Sequence, residues 1–117
     1  MALTKPVKWL GSSLKDTQAM PEDAQDAIGY ALGQVQEGKH HVSIKPLTGI
    51  PGVSEIVANI DTDTYRLVYV VNLPDAIYVL HAFKKKSKSG IATPKKEMDL
   101  IRARLRQAQE ASNEQNR

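Results

Sequence analysis

"VSEIVANIDTDTYRLVYVVNLPDAIYVLHAF", residues 53–83, is the stretch that decides the fold. Tyr65 to Val71 and Ile77 to Phe83 are dense in β-branched and aromatic residues, which suit a pleated, half-buried surface. The turn-rich "DTDT" (Asp61 to Thr64) and "NLPDA" (Asn72 to Ala76) separate them, and strand character begins near Val53. Links this short join neighbouring strands, so three successive strands read as an antiparallel meander.

Upstream, Pro46, Gly49, Pro51 and Gly52 predict a loop over Lys45 to Gly52. Before it, Pro21 suits a first helical position, with Glu22 and Asp23 complementing the helix dipole. Ala24, Ala27, Ile28, Ala31, Leu32 and Val35 follow with the spacing of one buried stripe, and Gly38 is the stop. A helix over Pro21 to Glu37 is expected. "VKWL" (Val7 to Leu10) predicts a first strand, broken by Gly11, after which Ser12 or Ser13 could cap a short helix reaching Met20. Downstream, Thr93-Pro94 opens a final helix with Met98, Ile101, Leu105 and Ala108 on one stripe. Residues 111–117, "ASNEQNR", are polar and expected to fray. The order is strand, two helices, three strands, helix. It predicts an α+β domain over residues 1–117, with helices on one face of a small, mainly antiparallel sheet.

Composition narrows the class. The chain has 41% hydrophobic and 25% charged residues, ordinary values for a globular domain. With no cysteine there are no disulfides or thiolate metal sites, which suits a reducing cytoplasm. No apolar run approaches a membrane span and "MALTKPVKWLGSS" has no signal-peptide core, so a cytoplasmic location off the membrane is expected. Charge is unevenly spread. From Phe83 to Arg117 there are ten Lys/Arg against four Asp/Glu, whereas Met1 to Ala82 holds six against nine. A basic end on a mildly acidic body suits an anionic partner such as nucleic acid, though a solubilising tail has the same composition.

Several chemistries have no motif. His40 and His41 are adjacent, His81 is remote, and no helical pair or carboxylate-flanked cluster offers a metal-ligand set. There is no G-x-S-x-G, no P-loop and no dinucleotide fingerprint, so neither metal nor organic cofactor is expected. Two segments remain. Arg66 sits inside an apolar strand, which has a cost unless its guanidinium reaches water, an anion, or a partner such as Glu55 or Asp63. Lys84, Lys85, Lys86 and Lys88 gather at the exit of the last strand, where alternation puts His81, Phe83 and Lys85 on one side and Lys84 on the other. The bland reading of such a run is solvation. Together, Arg, Lys and His on paired strands suit metal-free RNA cleavage, in which the ribose 2′-OH attacks its own phosphate. That reaction needs a proton acceptor, cations around the phosphorane and an acid for the 5′-oxygen. A lysine crowded by cations becomes a better base, and His81 could act as acid or base.

Three ordered blocks, spread over Val7 to Ala108, resemble the RelE/HigB-like toxins of type II toxin–antitoxin systems, in their phage-derived HigB-like branch. "KPLTGIPGVSEI" is similar to the family's loop and strand entry, and "YRLVYVV" to its arginine-bearing central strand. "VLHAFKKKSKSGIATPKKEMDLIRAR" is similar to the last strand, basic exit and helix start. The resemblance implies a RelE/ParE-like fold and a ribosome-dependent mRNA endonuclease acting without a metal. Its expected partners are the ribosome, mRNA and a cognate antitoxin of helix-turn-helix type. By position it gives Arg66 the scissile phosphate and Lys85 the basic role beyond the last strand, flanked by Lys84 and Lys86. His81 is offered from its chemistry, and Lys45, Lys86 and Lys88 as RNA-binding residues. Glu55 fits the HigB-like pattern, but Val57 stands where an arginine is usual, and no tyrosine follows the last strand. Two alternatives stay open: a ParE-like inhibitor of DNA gyrase without nuclease activity, and a non-enzymatic nucleic-acid-binding protein of phage or plasmid origin.

Overall fold

The computed structural model describes residues 4–86 and 93–115. In chain order the elements are β1 (Val7–Trp9), α1 (Ser13–Gln18), α2 (Glu22–Gln36), β2 (Ile44–Pro46), β3 (Val53–Ile60), β4 (Asp63–Val70), β5 (Ile77–Lys86) and α3 (Lys95–Gln115). The five strands form one sheet in the order β1-β5-β4-β3-β2. β1 runs parallel to β5 and every other pair is antiparallel. The fold is α+β, with the meander β3-β4-β5 at its centre.

Helices cover both faces of the sheet rather than one. Ala24, Ile28, Ala31, Leu32 and Val35 of α2 pack on Ile56, Ala58, Leu67, Tyr69, Ile77 and Val79. Ala27, counted in the same stripe, points to solvent, because the buried arc of α2 is narrower than the run of alanines. On the opposite face Ile101 and Ala108 of α3 cover Val53, Val68, Val70, Tyr78 and Leu80. A sheet apolar on both sides leaves no solvated face, so a second covering helix is required.

Three boundaries differ from the sequence reading. Ile44–Pro46 is a strand, not loop, because Lys45 pairs with Glu55 and Pro46 sits on the outer edge, where its missing N–H costs no ladder bond. The turn before β4 is confined to Asp61 and Thr62, with Asp61 at φ 56°. Residues 111–115 continue α3 instead of fraying, because Ser112 is buried and donates a 2.6 Å hydrogen bond to Asp75.

α3 is pinned to the sheet by polar contacts at Glu97, Arg104 and Ser112, spaced so that all three lie close to its apolar stripe. Glu97 meets His81, Arg104 donates to the Leu80 carbonyl at 2.9 Å, and Ser112 reaches Asp75. Gly11 makes room for the middle pin. It has φ +53°, and a Cβ there would lie 2.6 Å from the Arg104 guanidinium. Gly11→Ala is therefore expected to destabilise the protein by about 2 kcal/mol, left-handed strain alone accounting for about 1–2. Gly29→Ala, in α2 with open space around it, should instead stabilise by about 1 kcal/mol. Urea midpoints of the two variants moving in the same direction would contradict this assignment.

Candidate functional site

Part of the sheet's charge gathers on the α3 face. β2, β3, β4 and β5 each contribute one: Lys45, Glu55, Arg66 and Lys85. Lys45 lies directly opposite Glu55 in the ladder. Arg66 lies opposite Val57 on one side and Phe83 on the other, so Glu55 and Lys85 are its diagonal neighbours. The Arg66 guanidinium pairs with the Glu55 carboxylate, with side chains only 15% and 5% exposed. Of the two partners that the sequence offered Arg66, Glu55 is the one it meets, and Asp63 pairs instead with Lys84 at 3.2 Å.

A β-bulge decides which lysine joins this cluster. Between Val68 and Tyr69 the register with β5 shifts, leaving Leu80 as an extra residue. Tyr78 and Leu80 pack with the α3-side core, and unbroken alternation would send Ala82 and Lys84 to that side after them. The extra residue reverses the alternation, so His81, Phe83 and Lys85 share the face of Val68, Arg66 and Thr64, while Ala82 joins the α2-side core. Arg104 donates to the bulge carbonyl of Leu80, which ties this switch in register to α3.

Burial lowers the Lys85 pKa, and the Arg66 and Lys45 charges lower it further against the opposing pull of Glu55. Lys85 is thus a cation held in conditions that favour losing its proton. The Arg66 Nε is buried with no hydrogen-bond partner among the described residues, so the guanidinium keeps donor capacity beyond its contact with Glu55.

The other residues singled out from the sequence are spread around this centre. His81 is on the same face but engaged: its Nε2 meets the Glu97 carboxylate and its ring stacks on Phe83, centroids 4.8 Å apart. Lys84 lies across the sheet, half exposed, against Asp63. Lys86 is placed by its backbone, in register with Asp63, and Lys88 lies outside the described residues. Lys45 is exposed beside Glu55. Glu55 is the site residue that sequence reasoning treated only as a counterion. Its signal was present, since a carboxylate flanked by Ser54 and Ile56 inside a strand has the same cost as the arginine it meets. No group of three or more His, Cys, Asp or Glu able to hold a metal occurs among the described residues.

A family model for phage-derived Gp49-like proteins matches residues 15–106. The chain belongs to the phage-derived Gp49-like family. The match begins inside α1 and ends in α3, so it takes in all four strands that carry the charged cluster. This Gp49-like family is associated with toxin–antitoxin systems and with toxins of the RNase type, which gives an antitoxin as the partner the family suggests. No curated protein and no solved structure matches the chain. No helix among the described residues is long and apolar enough to cross a membrane.

Proposed function

We propose that this Gp49-like protein is the toxin of a toxin–antitoxin pair, of RelE/HigB type, and cleaves mRNA on the ribosome. The observation that carries the reading is the diagonal of Lys45, Glu55, Arg66 and Lys85 across four adjacent strands. Three cations around one carboxylate leave a net positive charge where a phosphodiester can sit, in surroundings that exclude much of the water. Arg66 grips the non-bridging oxygens. Lys85, its pKa depressed by burial and by Arg66, takes the proton from the 2′-OH. The 2′-oxygen then bonds to phosphorus, the bond to the 5′-oxygen breaks, and the departing oxygen takes a proton from water, leaving a cyclic phosphate and a 5′-hydroxyl end. Glu55 holds Arg66 in place and keeps the cluster from repelling itself apart. His81 acts through its neighbours, because its ring is bound to Glu97 and stacked beneath Phe83. Lys84 contributes charge from the far side of the sheet. A cognate antitoxin of helix-turn-helix type is the partner that silences such a toxin, and the cytoplasm is where ribosome and mRNA are met.

Lys85→Met tests this most directly. Induction of the wild type is expected to arrest growth and leave new mRNA 5′ ends at ribosomal A-site codons. The Lys85→Met variant should lose those ends by roughly 100-fold or more, the scale of removing a positioned acid–base group. The sign of the pH dependence follows from the same lysine. Cleavage should rise with pH through a pKa below that of an ordinary lysine, and Glu55→Gln, which removes a neighbour that raises it, should move that limb to lower pH. Growth arrest with intact mRNA would sink the nuclease reading and leave a protein target such as gyrase.

A further inference from the structure

β5 is longer than the strand that covers it. β1 reaches only as far as Val79, whereas β5 continues to Lys86, so the outer edge beyond Val79 has no strand neighbour among the described residues. A cavity of about 720 Å³ lies along that open edge. His81, Ala82, Phe83 and Lys84 form its floor, with Met20 and Glu97 among its walls. Its size is within the range of small-molecule sites, ample for a nucleoside.

Phe83 connects this cavity to the charged cluster. It stands directly opposite Arg66 in the ladder, on the same face. One side of its ring is taken by His81, at 19° between planes, yet the residue remains half-buried and lines the cavity. His81 in turn is fixed through Nε2 by Glu97, while its Nδ1 is buried with no hydrogen-bond partner among the described residues. An apolar side chain at 81 would fill this space without stranding a polar atom, so the imidazole's purpose lies in what it touches, Glu97 and Phe83. Phe83 also packs against the α3-side core, and what this packing and His81 leave uncovered lines a base-sized space.

We propose that Phe83 is a stacking platform for one nucleobase of single-stranded RNA, the base entering the cavity at the open edge of β5 while its phosphate lies at Arg66 and Lys85. This rests on the reading of the charged cluster as a phosphate site and adds to it the place of the neighbouring base. Stacking on an aromatic side chain accepts every base, because each has a π-face. The ring therefore fixes the position of the strand, with little demand on its sequence.

The test is a binding titration of short single-stranded RNA with 2′-O-methyl sugars, which cannot be cleaved, against the wild type, Phe83→Leu and Phe83→Tyr. A second oligonucleotide series carries one abasic position moved along the strand. Phe83→Leu is expected to weaken binding by about 10-fold or more, and Phe83→Tyr to preserve it. One abasic position should cost the wild type a similar factor and cost Phe83→Leu nothing further. Equal affinities for wild type and a folded Phe83→Leu, or the same abasic profile in both, would overturn the platform. Loss of binding in Lys85→Met in the same titration would then show the phosphate site still standing. Absence of RNA binding by the wild type overturns both readings. Should Phe83→Leu not fold, Phe83→Trp in a Trp9→Phe background decides: its fluorescence should be quenched by intact RNA but not by the strand lacking the stacked base, and equal quenching by both refutes the proposal.

Discussion

Replacing Arg66 by alanine is expected to stop RNA cleavage and to weaken the fold, and replacing Glu55 as well should restore only the fold. Glu55 is 3% exposed and its carboxylate meets the Arg66 guanidinium. Deleting the arginine leaves a buried charge without its main partner, a change that costs about 3–5 kcal/mol where a buried pair is broken. Lys85 and Lys45 are close enough to relieve part of this, so the lower end of that range is expected for Arg66→Ala. The double variant Arg66→Met, Glu55→Met exchanges the pair for apolar side chains of similar size, which is often neutral for stability. It should unfold near the wild-type denaturant midpoint. Cleavage should behave differently. Both variants lack the guanidinium that steadies the phosphorane, so both should lose at least about 100-fold in activity. A stable double variant that still cleaves would show that the pair is an internal ion bridge of the sheet, unconnected with phosphate.

That experiment separates two readings which the sequence alone left open. A lone arginine in a strand indicates that something compensates its charge, but not whether the compensation is a carboxylate, a solvated face or a ligand. The structure supplies a carboxylate and an orphaned Nε together, which is why the pair can be both structural and functional. The meander itself was legible, because period-two patterning and short turns act locally. Helix α2 was legible for the same reason. β2 was not, since a three-residue edge strand holding a proline has the local composition of a loop and gains its order from the neighbour it pairs with. The continuation of α3 through Gln115 was hidden in the same way. Counting apolar residues sees Met98, Ile101, Leu105 and Ala108, but not the polar pins Glu97, Arg104 and Ser112, whose partners are distant in sequence.

The most instructive case is the choice between Lys84 and Lys85. Alternation correctly groups His81, Phe83 and Lys85, since within that segment the strand is regular. What no local pattern reveals is that Leu80 is an extra residue, so that this group faces α3 rather than α2. A bulge changes the meaning of every position after it. Here it brings a lysine and an aromatic ring beside Arg66, where regular pairing would have brought alanine and a second lysine. Deleting the extra residue, Leu80, would restore regular pairing while keeping Phe83 opposite Arg66 and Lys85 opposite Thr64.

The second large effect is expected at the far end of the molecule, where Asp75 ties three elements together. Its carboxylate accepts hydrogen bonds from Ser112 of α3 at 2.6 Å, Tyr78 of β5 at 2.7 Å and Lys8 of β1 at 3.1 Å. Burial works to raise its pKa, but the hydrogen bonds from Ser112, Tyr78 and Lys8 together outweigh it and hold the carboxyl well below the usual range. Asp75→Ala removes the carboxylate that Ser112, Tyr78 and Lys8 share and should cost about 3 kcal/mol, the scale of losing hydrogen bonds to a charged group. The sign of the pH effect follows from the depressed pKa. The contribution is fully present above the unfolded-state value near 3.8, and declines as pH falls from there toward the folded-state pKa. Denaturant midpoints of wild type and Asp75→Ala should therefore stay a constant distance apart at neutral pH and draw together in acid. Because Ser112 is the last pin of α3, the variant should also expose the amides of residues 108–115 to faster hydrogen exchange while leaving those of the β3-β4-β5 meander protected. Uniform loss of protection across the sheet would mean that Asp75 supports the whole core, and that the C-terminal end of α3 has no separate anchorage.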